Sequence, residues 1–135
     1  MKDFMLIFIS KSYAELGLSP EEMQGRMGKW FAWNTKMAEQ GVVKDGHALV
    51  DDVRQVSGSA RTITDRAGAE VKELIGGYYV VSAKDLDGAT KIAEDYPDYD
   101  LGGTVEIREI MVFDQSLDII RIRIECGYIG WHNIC

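Results

Sequence analysis

The chain begins with a continuous apolar run, and this pattern predicts a buried strand. Residues 4–9 read FMLIFI, which is typical of a central strand covered on both faces. The run is too short to cross a membrane, which takes about 20 residues. A second stretch dense in strand formers, residues 78–81, predicts another buried strand. These two segments are therefore expected to form the centre of a sheet.

Capping signals and apolar spacing predict two helices. Ser19, Pro20 and Glu22 supply a capping hydroxyl, a proline at the first helical position and a capping-box carboxylate, so the first helix starts here and ends at Gly41. Residues at three- and four-residue steps along it are expected to share the face that packs on the sheet. They are Met23, Met27, Trp30, Phe31, Asn34, Met37 and Ala38. A second helix is predicted over residues 84–95, after a capping box at 82–85.

The order of elements predicts the fold class. Residues 42–65 are interpreted as a hairpin with irregular turns, and residues 104–111 alternate as a further strand would. The resulting order favours an α+β chain with a ferredoxin-like split βαβ sheet and both helices on one face. The other face would then expose apolar strands, which soluble monomers rarely do. A homodimer that packs its sheets face to face would cover it.

Charge and cysteine content narrow the function classes. The net charge is -7 and the pI is near 4.8, which argues against a nucleic-acid partner, because such binding needs clustered Lys and Arg. Cys126 and Cys135 lie in the last ten residues, so a disulfide framework cannot hold the main body together, and a reducing cytoplasm is the expected location. Residues 113–135 are either an added strand or a disordered C-terminal extension.

Six motifs in order along the chain carry a resemblance to a known family. They are FMLI at 4–7, SPEEM at 19–23, GHAL at 46–49, TITD at 62–65, EVKELIGGYY at 70–79 and GTVEIR at 103–108. Together they resemble the YCII-related family in its DGPF-containing branch, and residues 1–112 form the corresponding domain. The resemblance implies a dimeric α+β barrel and a small, often ring-containing ligand. The chain departs from the branch signature, because Asp65 is followed by Arg66, Ala67 and Gly68.

Asp65 and His47 are the candidate catalytic residues. A carboxylate can orient an imidazole, and an imidazole titrates where a general acid or base is useful. Members of the wider family are thought to use a His and Asp pair in a pocket near the dimer interface, although His47 does not map securely onto it. The competing interpretation is a polar turn histidine and an aspartate that hydrogen-bonds its own turn.

Five other residues are candidates for substrate binding: Arg66, Glu70, Lys72, Trp33 and Tyr79. Lys72 would attract an anionic group and Arg66 would form a carboxylate fork, although a solvated face is the plainer explanation of the mixed charges. Trp33 lies off the apolar helical stripe, which favours a pocket or an interface. Tyr78 and Tyr79 must point to opposite sides of their strand.

No cofactor or metal is expected. Cys126, His132 and Cys135 do not have a standard zinc spacing and would lack a fourth ligand. Two functions remain open. One is an enzyme or binding protein for a small organic molecule, which uses acid/base chemistry near a dimer interface. The other is a non-catalytic interaction module that works through its sheet and its C-terminal extension.

Overall fold

The structure is a computed structural model that describes residues 1–66 and 74–113, with Arg66 described only in its backbone. Its strands are β1 (Lys2–Ser10), β2 (Val43–Ala48), β3 (Val53–Ser57), β4 (Thr62–Arg66), β5 (Leu74–Ala83) and β6 (Thr104–Glu109). Its helices are α1 (Tyr13–Leu16), α2 (Pro20–Gln40) and α3 (Leu86–Ala93), and a 3₁₀ turn covers Tyr99–Leu101. In this part of the chain, no helix has the length and apolar character needed to cross a bilayer.

Four strands form an antiparallel sheet in the order β2-β5-β1-β6, and β3 and β4 form a separate hairpin. The apolar strand β1 pairs with β5 on one side and with β6 on the other, so the predicted central position is confirmed. The fold is α+β with antiparallel sheets and is compatible with the predicted ferredoxin-like arrangement.

One face of the sheet carries the hydrophobic core. Phe4, Leu6 and Phe8 alternate along β1 and are buried in one cluster with residues of α2 and α3. Both helices therefore pack on this face. Met5 and Ile7 point to the other face and are half-buried, so the described residues of a single chain do not fully cover this second face of β1. We call this second surface the open face.

The start of α2 is confirmed, and its predicted inward stripe is confirmed at Met37 and at Trp30, which packs against the core. Ser19 caps the helix and Glu22 completes the capping box. The buried residues are Trp33 and Met37, whereas Met23, Met27 and Phe31 are exposed. The physical reason is that the first half of the helix lies beside a cavity and the second half covers the sheet.

Other boundaries differ because strands extend further than the local pattern indicates. The predicted capping box at 82–85 is wrong, since Ser82 is in β5 and Asp85 alone caps α3 through the Gly88 N–H. The segment interpreted as one hairpin divides: residues 43–48 join the main sheet and the hairpin is β3–β4. The C-terminal extension after residue 113 lies outside the described residues.

Candidate functional site

A cavity of about 350 Å³ lies on the helix-covered side of the sheet. Its aromatic lining comes from elements that are distant in sequence: Phe8, Tyr13, Trp30, Phe31, Tyr79 and Tyr96. The rings of Phe8 and Tyr96 stack with centroids 5.2 Å apart, and Trp30 meets Phe8 edge-on at 5.3 Å. Cavities with mostly apolar walls and a few placed polar groups are the usual form of a small-molecule site.

One of the polar groups at this cavity is the carboxylate of Asp98, a residue only 3% exposed. The Tyr13 hydroxyl donates to Asp98 Oδ2 at 2.6 Å. The indole N–H of Trp30 donates both to Tyr13 Oη at 3.1 Å and to Asp98 Oδ2 at 3.3 Å. One carboxylate oxygen is thus held by two ring donors that also line the cavity.

The other oxygen, Asp98 Oδ1, is buried without a hydrogen-bond partner in the described part of the chain. Arg26 Nη1 lies 3.5 Å from it, within ion-pair range but without hydrogen-bond geometry. The guanidinium is engaged elsewhere, since it donates to both carboxylate oxygens of Asp100 at 2.6 Å and to the Pro97 carbonyl at 3.1 Å. The charge of Asp98 is therefore only partly compensated.

Burial keeps the phenols of this site protonated. Burial, and then the hydrogen bond to Asp98, raise the pKa of Tyr13 well above its ordinary value. Burial and the nearby charge of Asp98 raise the pKa of Tyr96 to about 12. Burial also raises the pKa of Tyr79, and its hydrogen bond to Asn34 opposes that shift. At neutral pH these hydroxyls are hydrogen-bonding groups rather than bases, and Asp98 is the candidate proton acceptor.

Local sequence explains how Asp98 and Tyr13 reach the cavity. The Ser12 side chain caps α1, so Tyr13 starts a helical turn directly after β1. Pro97 follows the end of α3, and the Asp98 carbonyl then accepts hydrogen bonds from the backbone of Leu101 and Gly103. This turn holds the Asp98 backbone in place.

The structure gives the two predicted catalytic residues separate partners. Asp65 lies on β4 and accepts from Arg54 Nε at 2.6 Å, with both side chains exposed. His47 belongs to the residues around the cavity, but its ring contacts Tyr78, and its Nε2 lies 3.4 Å from Asp45. The joint role of Asp65 and His47 stays a prediction.

The other predicted site residues fall into three groups: one lines the cavity, one lies in the core, and the rest lie outside the described residues. Tyr79 lines the cavity and donates to Asn34, whereas Tyr78 is on the open face, so the predicted opposite orientation of the two tyrosines is confirmed. Trp33 is 4% exposed and belongs to the core cluster rather than to the cavity lining. The Arg66 side chain, Glu70 and Lys72 lie outside the described residues.

Sequence reasoning missed Tyr13 and Asp98. No motif joins them, because 85 residues separate the hydroxyl from the carboxylate that it contacts. The signal that could have indicated the cavity is the occurrence of aromatic residues just after the ends of strands and helices: Tyr13 follows β1 and Tyr96 follows α3. In the described residues, no three His, Cys, Asp or Glu side chains are grouped as metal ligands, and Cys126, His132 and Cys135 lie outside them.

The chain is thus an α+β protein with an aromatic cavity and a buried carboxylate on one side of its sheet. Residues 4–114 match the model of the YCII-related domain, so the chain belongs to this family. No curated protein sequence matches it.

Proposed function

We propose that this protein binds a small ring-containing organic molecule in the aromatic cavity and acts on it by acid/base chemistry at Tyr13 and Asp98. The observation that carries the proposal is the buried carboxylate held by two of the rings that line the cavity. Flat rings gain stacking and edge-to-face contacts from such walls. Burial raises the pKa of the Tyr13 phenol at this cavity, and a titratable group perturbed in this way in an apolar cavity is a frequent mark of a functional site.

A two-proton relay gives the buried carboxylate access to a ligand. An acidic group of the ligand would pass its proton to Tyr13 Oη while the Tyr13 proton moves to Asp98 Oδ2, over the existing 2.6 Å contact. Trp30 holds the acceptor oxygens in place through its indole N–H. The relay requires a protonated phenol, which the raised pKa of Tyr13 supplies.

The test is a thermal-shift and calorimetric screen of hydroxylated aromatics, aromatic amines and keto acids against the full chain. Tyr13→Phe keeps the ring and removes the hydroxyl, so compounds that contact Oη are expected to bind about tenfold more weakly, the equivalent of about 1.4 kcal/mol. Tyr99→Phe is the matched control, since the Tyr99 hydroxyl donates to the Ala93 carbonyl and does not line the cavity.

Two results would contradict the proposal. One is a ring compound that binds wild type and Tyr13→Phe with the same affinity and whose conversion, if any, is unchanged. The other is a panel in which no ring compound raises the melting temperature, because any ligand specific for the native state must do so.

We also propose a homodimer formed through the open face, as in a dimeric α+β barrel. Met5, Ile7, Tyr78 and Val80 lie on this face, where they stay half-buried in a single chain. A partner sheet would remove this apolar surface from water. The cavity lies on the other side of the sheet, so the expectation of a pocket near the dimer interface depends on how the two copies meet.

Light scattering tests the dimer. The expected mass is twice the 15.1 kDa of one chain, and Ile7→Asp is expected to halve it. Lys91→Glu is the control, because Lys91 lies on α3, on the helix-covered side of the sheet, and is exposed. A wild-type mass of one chain would rule out this interface.

We place the chain in the DGPF-containing branch on its motifs, with a changed loop after Asp65. Exchange of Arg66-Ala67-Gly68 for Gly-Pro-Phe tests whether this loop has the role in ligand preference that membership of the branch implies. It is expected to leave the fold intact and to alter ligand preference, if the loop shapes the site as in the branch. Unchanged ligand preference would argue against that role.

A further inference from the structure

We infer that the cavity selects a cation, namely a small protonated amine that carries a ring. This inference rests on the proposed function and adds the charge of the ligand. Three features of the structure support it: the charge balance around Asp98, the acceptor that faces the cavity, and the aromatic walls.

The charge balance around Asp98 is negative. Asp98 and Asp100 both lie within ion-pair range of Arg26, and its guanidinium makes its two short hydrogen bonds to Asp100. Asp98 is left with the 3.5 Å approach of Arg26 Nη1 and with neutral donors. A buried charge without a well-placed counter-ion is costly. A cation in the cavity would supply the missing charge.

Tyr13 Oη provides the acceptor for such a cation. The Tyr13 hydroxyl donates a hydrogen bond to Asp98 Oδ2 and accepts one from the Trp30 indole N–H. The indole N–H is shared between Tyr13 Oη at 3.1 Å and Asp98 Oδ2 at 3.3 Å, so it uses the acceptor capacity of the phenol oxygen only in part and leaves room for an ammonium N–H. The hydrogen bond to the carboxylate polarises the phenol and strengthens it as an acceptor. A carboxylate ligand would find no donor at this oxygen.

The aromatic walls favour the same sign of charge. Trp30, Phe31 and Tyr79 line the cavity together, and the faces of indole, phenyl and phenol rings attract cations. The charged lining residues Lys11 and Asp51 carry opposite signs. The chain as a whole carries a net charge of -7, which favours the approach of cations over that of anions.

A set of three probes with one ring and differing charge tests the inference. Phenethylamine is a cation at neutral pH, phenethyl alcohol is neutral and hydrocinnamate is an anion. In a calorimetric titration of the full chain, the amine is expected to bind at least about tenfold more tightly than the alcohol, since charge-assisted hydrogen bonds are stronger than those between neutral groups. Hydrocinnamate is expected to bind most weakly.

One variant and a matched control test whether Asp98 causes the preference for the amine. Asp98→Asn keeps the shape of the side chain and is expected to reduce the preference for the amine about tenfold, as the lost charge interaction requires. Asp95→Asn removes an equal charge three residues away, where the carboxylate is exposed and paired with Lys36 at 2.7 Å. This control is expected to keep the preference.

Each other outcome overturns a defined claim. Equal binding of amine and alcohol to wild type overturns the inferred charge and leaves the ring-binding cavity standing, provided that Tyr13→Phe weakens both. An unchanged preference in Asp98→Asn overturns the role of Asp98 in selecting charge. If none of the three probes binds wild type, both the inference and the proposed function are contradicted. The wild-type comparison needs no variant, so it stands even if Asp98→Asn fails to fold.

Discussion

The main sheet and the β3–β4 hairpin are built from similar strand-forming sequence but have opposite environments. In the main sheet, β1 is paired on both sides and Leu6 is fully buried. In the hairpin, the cross-strand neighbours Val56 and Ile63 are 57% and 64% exposed. Strand propensity alone does not distinguish the two, because burial is set by what packs over the strand.

Two aspartates show what this difference means for chemistry. Asp65 on the hairpin is exposed and bonded to Arg54, an arrangement common on protein surfaces. Asp98 beside the main sheet is buried, with one oxygen held by Tyr13 and Trp30 and the other in ion-pair range of Arg26 but without a hydrogen bond in the described residues. Only the second environment combines a cavity with a carboxylate whose charge is incompletely matched. We therefore assign the proposed function to the main body.

The largest expected effect is the loss of a core side chain. Leu6→Ala is expected to lower the free energy of unfolding by about 2–5 kcal/mol, through lost burial and a residual cavity, as measured by urea denaturation. Ile63→Ala in the hairpin is the control, and its effect is expected to stay below about 1 kcal/mol because the side chain is exposed. Equal losses would mean that the hairpin is as tightly packed as the sheet.

The next effect comes from a close approach at the cavity wall. A Cβ on Gly46 would lie 2.1 Å from Tyr79 Cδ1 and 3.1 Å from the Tyr78 carbonyl oxygen. Gly46→Ala is therefore expected to cost about 1–3 kcal/mol through overpacking and to weaken ligand binding by displacing Tyr79. Gly25→Ala meets no atom within 4 Å and lies outside the cavity lining, so it serves as the control. If Gly46→Ala left the free energy of unfolding unchanged, the Tyr79 ring would have to move aside at little cost.

A smaller effect is expected from the hairpin ion pair. Asp65→Asn is expected to change the free energy of unfolding by less than about 1 kcal/mol, since Asp65 and Arg54 are both exposed. Affinity for cavity ligands is expected to stay at the wild-type value. Loss of binding in a folded Asp65→Asn protein would instead support the predicted Asp65 and His47 site.

The smallest effect is a pH-dependent one at Asp100. Its hydrogen bonds to Arg26 lower the pKa of its carboxyl from 3.8 to about 2. A lowered pKa in the folded state means that the stabilisation is complete above the unfolded pKa and is lost as the pH falls through the folded value. Asp100→Asn is thus expected to be less stable than wild type at neutral pH, with the difference vanishing near pH 2. A difference that persists under acid conditions would contradict this.

Local signals predicted those parts of the fold that neighbouring residues determine. The start of α2 is set by Ser19, Pro20 and Glu22, which are adjacent in sequence, and the central position of β1 follows from its continuous apolar run. The exposure of Met23, Met27 and Phe31 on the predicted α2 stripe was missed because it depends on where the sheet ends and the cavity begins. That boundary is a property of the tertiary structure.

The candidate site was harder to predict for a related reason. Tyr13, Trp30 and Asp98 are contributed by three separate segments and meet only after the helices pack on the sheet. Trp30 was identified from its spacing, but as a packing residue. Among the predicted substrate-binding residues whose side chains are described, Tyr79 lines the cavity. Its hydroxyl donates a hydrogen bond to Asn34.

The most direct test of the central claim is a nuclear magnetic resonance titration with phenethylamine that follows the indole N–H signal of Trp30. This group donates to both Tyr13 and Asp98, so a ligand in the cavity must change its chemical shift; Trp30→Phe assigns the signal. We predict a saturable shift of the Trp30 signal and unchanged amide signals across the β3–β4 hairpin. Binding that moves the hairpin amides and leaves Trp30 unchanged would contradict the account.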